Sequence, residues 1–371
     1  MAYRYRVSAL ILVLFLFLSA CAPAASIPPP AANNPPAAPA ANAPTELTEL
    51  KIYVETQAEK LHASITQLAS ASDRYFVLAR NASFDYTALW ATQSAEVLKV
   101  LSEARAAFLA ANPQYEQMEG IVAGVPSLSQ YDIILDAGTS AADSSEDAVP
   151  FDLTLPNGKV LPKPGNLFEV TEATLWGTDP AYGIAGIHPD FNGNNQVDLG
   201  DALPDANVLK GTADTFEIYT GKLEEATRLW QPTDSEAFGA LLANVPTFRD
   251  FMESWKNSRF VMNDASNERG FVATSRLSDL SDNILSWQKI YAGLSPAVKA
   301  KSPEQDAQIS RDLENLQKYV SDLYAQESKQ ERRFSPEEAD MLNAEGQARA
   351  TGIAGQLAQA AVKLGISIED K

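Results

Sequence analysis

A chain of 371 residues with a formal net charge of −19, 45% hydrophobic residues, one cysteine and two histidines has enough apolar content for a real core. Its acidic balance argues against nucleic acid and anionic lipid as partners and favours cations. A single cysteine excludes an internal disulfide and a thiolate metal site, so the fold must rest on packing.

The N-terminus carries Arg4 and Arg6, an apolar run over residues 9–18, then Ser19-Ala20-Cys21. A basic start, a short apolar stretch and small residues before a cleavage point predict a signal peptide over residues 1–20. The run is shorter than the ~20 residues a bilayer span needs. Leu18-Ser19-Ala20-Cys21 is similar to a bacterial lipobox, which implies that Cys21 is lipidated and becomes the first mature residue, with two acyl chains holding it to a membrane. The body is then extracytoplasmic, anchored to the bacterial cell membrane. Residues 21–44 are nearly all Ala, Pro and Asn, the composition of a semi-extended tether.

Over residues 45–138 the pattern becomes helical. Leu47, Leu50, Val54, Ala58, Leu61, Ile65 and Leu68 recur in steps of three and four, which places them on one helical stripe. Trp90, Ser94, Val97, Leu101, Ala104 and Phe108 repeat it, and Asn112-Pro113 is expected to stop that helix. Residues 139–211 turn to Pro, Gly, Asn and Asp with little periodicity, an irregular insertion in which function is expected to cluster. Residues 212–371 return to stripes: Leu277, Leu280, Ile284, Trp287 and Tyr291, then Ile309, Leu313, Leu316, Val320 and Leu323. Ser302-Pro303-Glu304-Gln305 and Ser335-Pro336-Glu337-Glu338 read as helix starts, with serine as the cap and proline in the first turn.

Two constellations within the insertion point to metal. Residues 190–201 follow the twelve-residue calcium loop, with Asp190, Asn192, Asn194, Asp198 and Asp201 at the oxygen-ligand positions and the Gln196 carbonyl between them. Asn195 stands where glycine is usual, and asparagine tolerates the left-handed backbone needed there. A dockerin-like or EF-hand-like calcium clip is the expectation, set against an Asn/Asp-rich turn that binds nothing. The second is Glu169 and Glu172, which a helix would place on one face, able to grip a hard cation or iron.

The segment Glu172-Ala173-Thr174-Leu175-Trp176-Gly177 resembles part of the imelysin-like family, which includes EfeO-type components of bacterial iron uptake. The family signature is Gly-x-His-x-x-Glu, often followed by Leu-Trp-Gly. Glu172 falls on its glutamate, whereas Glu169 replaces the histidine and Leu167 the glycine. Tyr115-Glu116-Gln117-Met118-Glu119, Ser275-Arg276-Leu277 and Phe334-Ser335-Pro336-Glu337-Glu338 fit the same family in kind. The resemblance implies an all-α, up-down helical bundle of two related halves around a long irregular central insertion. It also implies a metal site between the halves, with Glu169 and Glu172 as ligands and Glu119 helping from the N-terminal half.

The leading expectation is a cell-surface lipoprotein that binds metal, an accessory to uptake of iron or another cation and a partner of a membrane permease or surface protein. The alternative is a non-catalytic interaction protein whose calcium-stabilised insertion contacts a partner protein or glycan. An enzyme is not expected: His62 and His188 are the only histidines, there is no His-Glu-x-x-His, and no Gly-x-Ser-x-Gly supports a serine triad.

Overall fold

The computed structural model describes residues 47–266, 270–329 and 332–367. The expected signal peptide, Cys21 and the tether lie outside these residues. The first stripe folds as helix α1 (Leu47–Asn81), and all seven of its predicted apolar positions are buried. Ala71, Tyr75 and Ala79 extend the burial, because α1 packs between two long neighbours, α2 and α5.

Helix α2 (Tyr86–Val122) starts on Asp85, whose carboxylate accepts the Ala88 N–H at 3.0 Å. It does not stop at Asn112-Pro113 as expected but runs on to Val122. Pro113 supplies no N–H to the Leu109 carbonyl and costs the helix one bond. Burial of Tyr115, Met118, Ile121 and Val122 in the following turns offsets that loss.

After α2 come a single turn, α3 (Ser129–Asp132), and a π-helical turn, Ile133–Ala137. The stretch read as irregular contains two small antiparallel pairings, β1 (Leu153–Thr154) with β2 (Val160–Leu161) and β3 (Gly183–Ile184) with β4 (Leu203–Pro204). Between them lies α4 (Leu167–Trp176), capped by Asn166 Oδ1, which accepts the Glu169 N–H at 2.8 Å. Gly177 ends it at φ +69°, where a Cβ would also strike that of Ala202.

Helix α5 (Ala206–Leu229) begins inside residues 139–211 and lies along α1. His62 Nδ1 meets Thr220 Oγ1 at 3.1 Å, and Lys51 Nζ donates to the carbonyls of Arg228 and Trp230 at the far end. His62 is thus a packing residue between two helices. Then follow α6 (Asp234–Asn244), α7 (Phe248–Asn257) and the single turn α8 (Arg259–Met262).

The three C-terminal helices are α9 (Arg276–Lys301), α10 (Pro303–Ser328) and α11 (Pro336–Leu364), and every apolar position predicted for α9 and α10 is buried. α9 packs on both α2 and α10, and so joins the two parts of the bundle. Of the two predicted caps, Ser335 and Glu338 form a complete capping box, whereas the Ser302 side chain makes no cap bond. The fold is an all-α bundle around one main hydrophobic core that includes Trp255 and Trp287. Among the described residues no helix is long and apolar enough to cross a membrane.

Candidate metal site between α2, α4 and α9

Three elements bring carboxylates into the interior. Glu116 and Glu119, three residues apart on α2, are only 1% and 8% exposed. The π-helical turn contributes Asp136, half-buried, and its ligand oxygen lies with one from each of those glutamates so that all three are within 4.8 Å of one another. α9 supplies Arg276, Asp279 and Asn283, all buried.

The polar groups are interlocked. Asn283 Nδ2 donates to Glu116 Oε2 at 2.7 Å and also to Glu119 Oε2. Asn112 Nδ2 donates to Asp279 Oδ1 at 2.8 Å, and Arg276 Nη1 pairs with Asp279 Oδ2 at 3.1 Å. The Arg276 guanidinium sits 3.8 Å from the ring centre of Phe271 and 4.2 Å from that of Phe251. Tyr115 donates its hydroxyl proton to Asp132 Oδ1 at 2.7 Å.

Taking this many carboxylates out of water raises their pKa values. Burial, reinforced by the charges of Asp136 and Asp132, pushes Glu119 up to about 8 against the Asn283 hydrogen bond and Arg276. Glu116 is pushed well above its ordinary range by burial and by Asp279 and Glu119. Burial lifts Asp136 to about 6, with Arg276 opposing. Burial alone would lower Arg276, but Asp279, Glu116, Asp136 and Glu119 more than offset it and its pKa is raised. One guanidinium cannot neutralise the whole group, so protons or a cation must supply the remaining positive charge. An all-oxygen set of this kind suits hard cations.

Glu172 is also buried, and its Oε1 accepts the N–H groups of Val272 and Ala273 at 3.0 and 2.8 Å. Burial raises its pKa to about 7 against those hydrogen bonds. Its carboxylate therefore ties α4 to the segment leading into α9. Glu169, half-buried, lines a pocket of about 20 Å³ together with Glu172, Asp136 and Asn112, room for about one water. Glu169, Glu119 and Asp136 also line a wider cleft of about 480 Å³. The expected residues Glu119, Glu169 and Glu172 thus surround adjoining spaces, with Asp136 common to both.

Residues 190–201 form a separate loop. Asp190 accepts the N–H groups of Gly193, Asn194 and Asn195 at 2.7 to 3.2 Å. Asp198 Oδ2 accepts from the side-chain amides of Asn192 (3.1 Å) and Asn194, while the Gln196 N–H donates to Asn194 Oδ1 at 2.7 Å. Asp201 accepts the N–H groups of Phe191 and Asp198, and its carbonyl meets His188 Nδ1 at 3.1 Å. Asn195 has the expected left-handed backbone, φ +59°. Arg105 of α2 clamps the loop, with its guanidinium 3.5 Å from the Phe191 ring centre and donating to the carbonyls of Gly200 and, at 2.6 Å, Leu175.

Glu116, Asp136, Arg276, Asp279 and Asn283 were not singled out as site residues from sequence. A signal existed for some of them. Glu116 and Glu119 stand three apart beside the apolar Tyr115, Met118 and Val122, and Arg276 and Asp279 sit three apart beside the stripe residues Leu277 and Leu280. Asp136 carries no such mark, because a π-helical turn has no recognisable period.

Fold and site together define an all-α bundle that buries a carboxylate cluster where its helices meet. The chain belongs to the imelysin family, whose model, Imelysin (peptidase M75), matches residues 46–364. Comparison with curated proteins finds no match.

Proposed function

We propose that the protein is a cell-surface, lipid-anchored metal-binding protein, an accessory to uptake of iron or another hard cation handed to a membrane permease. The observation that carries this reading is the approach of Glu116, Glu119 and Asp136 oxygens to within 4.8 Å inside a low-dielectric interior. A cation entering from the 480 Å³ cleft displaces the protons those carboxylates hold, while Asn283 and Arg276 fix their orientation. The reading is of binding and not peptide hydrolysis because the cluster gathers carboxylates, an amide and a guanidinium, while His62 and His188 lie elsewhere, beside Thr220 and the Asp201 carbonyl. The test is metal content and titration calorimetry with Fe(III), Mn(II) and Ca(II) on the chelator-stripped chain. Binding that disappears in Glu119→Gln/Asp136→Asn supports the reading, and binding untouched by that pair defeats it.

A second reading rests on the left-handed backbone of Asn195 and the meeting of the Asn192, Asn194 and Asp198 side chains. In it calcium, held by Asp190, Asn192, Asn194, Gln196, Asp198 and Asp201, rigidifies the insertion as a contact surface for a partner protein or glycan. Calcium should then slow proteolysis within residues 190–201 in the parent chain and not in Asp190→Ala/Asp201→Ala.

A further inference from the structure

Another cleft, of about 760 Å³, is also lined by Asn112. Leu109, Asn112 and Pro113 of α2 form one wall, Arg259 and Phe260 of α8 another, and Ser275 and Ser278 the floor at the start of α9. Tyr324 and Glu327 of α10 and the following Arg332 and Arg333 close it.

Its electrostatics run against those of the whole chain, which holds 48 acidic residues to 29 lysines and arginines. Its described lining includes three arginines, Arg259, Arg332 and Arg333. Arg332 pairs with Glu338. Arg259 and Arg333 have no ion pair or hydrogen bond with any described side chain, and Arg259 is half-buried. A guanidinium drawn partly out of water without an acceptor is unfavourable, so a bound anion would relieve it. Among the described lining residues the one acid is Glu327, whose Oε1 accepts from Trp255 Nε1 at 2.6 Å and whose pKa is raised by burial, which favours its neutral form. The positive end of α9, a helix of 26 residues, faces the same space.

The remaining walls set the size and kind of ligand. Leu109, Pro113, Phe260 and Tyr324 offer apolar surface, and the volume lies in the range of sites for small organic molecules, well above what a bare oxyanion fills. We propose that this cleft binds a small organic polyanion, carboxylate or phosphate, through Arg259 and Arg333, with its carbon skeleton against Phe260 and Tyr324. The assignment does not depend on the metal reading.

The test is titration calorimetry of the chelator-stripped, chelator-free chain with citrate, glycerol 3-phosphate and inorganic phosphate. The expected result is saturable binding of citrate or glycerol 3-phosphate that weakens about tenfold or more in Arg259→Gln/Arg333→Gln, the loss of charge-assisted hydrogen bonds, and persists in Glu119→Gln/Asp136→Asn. Which of the two organic anions binds more tightly identifies carboxylate or phosphate as the recognised group. Exposed Arg333→Gln alone, with an unchanged melting temperature, should give part of the loss and so separates binding from folding. The proposal is overturned by absence of binding to either organic anion, by binding indifferent to the arginine pair, or by inorganic phosphate binding as tightly as both. Citrate binding that vanishes only in Glu119→Gln/Asp136→Asn would also overturn it, since citrate would then be following metal.

Discussion

Glu119, at about 8, holds its proton at neutral pH and Glu172, at about 7, is half-protonated there, whereas an unfolded chain releases both near 4.5. The native state therefore binds more protons than the unfolded state across that interval, and stability falls as pH rises. Metal-stripped protein should melt at a higher temperature at pH 5 than at pH 8, and Glu119→Gln should flatten that slope in a pH series of thermal melts. Cation binding has the opposite sign, because deprotonated carboxylates are the ligands, so affinity measured by calorimetry should climb between pH 6 and pH 8. Arg276 works against the carboxylate charge. Arg276→Met leaves Asp279 and its neighbours without their buried counter-charge, at a cost of about 3–5 kcal/mol in urea unfolding at pH 7. The loss should shrink at pH 5, where protons replace the guanidinium.

Caps and clamps decide how firmly individual elements hold. Ser335→Ala removes one half of the capping box of α11 and should lower unfolding free energy by about 1 kcal/mol. Ser302→Ala, at a serine with no cap bond, should change it far less. Arg105→Ala should free residues 190–201 from α2 and α4, seen as faster cleavage within that loop by an added protease. These helices were legible because burial on one face leaves a period of 3.6 residues, and the stripes of α1, α9 and α10 show it without interruption. Pro113 misled because local chemistry favours a stop there, whereas the buried turn that follows favours continuation. Helix α5 went unseen at its start because Asp205 and Asn207, polar residues that suit a loop, here serve a cap, the Asp205 carboxylate accepting the N–H groups of Asn207 and Val208.

At the scale of the molecule, a site assembled from α2, a π-helical turn, α4 and α9 cannot be read from any one segment. Sequence spacing brought out Glu169 with Glu172, which share a helix, and family likeness added Glu119. The pairing of Asn283 with Glu116 exists only once α9 lies on α2, and that of Glu119 with Asp136 only once the π-helical turn folds back beside α2. A cation that binds the folded chain alone should raise its stability by about 2.7 kcal/mol at a free concentration a hundred times its Kd. Differential scanning calorimetry with and without metal reads this directly, and Glu119→Gln/Asp136→Asn should abolish the increment.

The position of α5 beside α1 bears on how the chain is made. His62 and Thr220, which meet across these helices, are 158 residues apart in sequence, so a chain emerging from its N-terminus completes α1 and α2 long before the cover for the other flank of α1 exists. The flank of α1 that carries His62 must stay shielded in some other way during that interval, or find the same flank on another nascent copy. A chain released before residue 206 lacks that cover permanently. Such fragments should aggregate, whereas those ending after residue 229 can close the first part of the bundle.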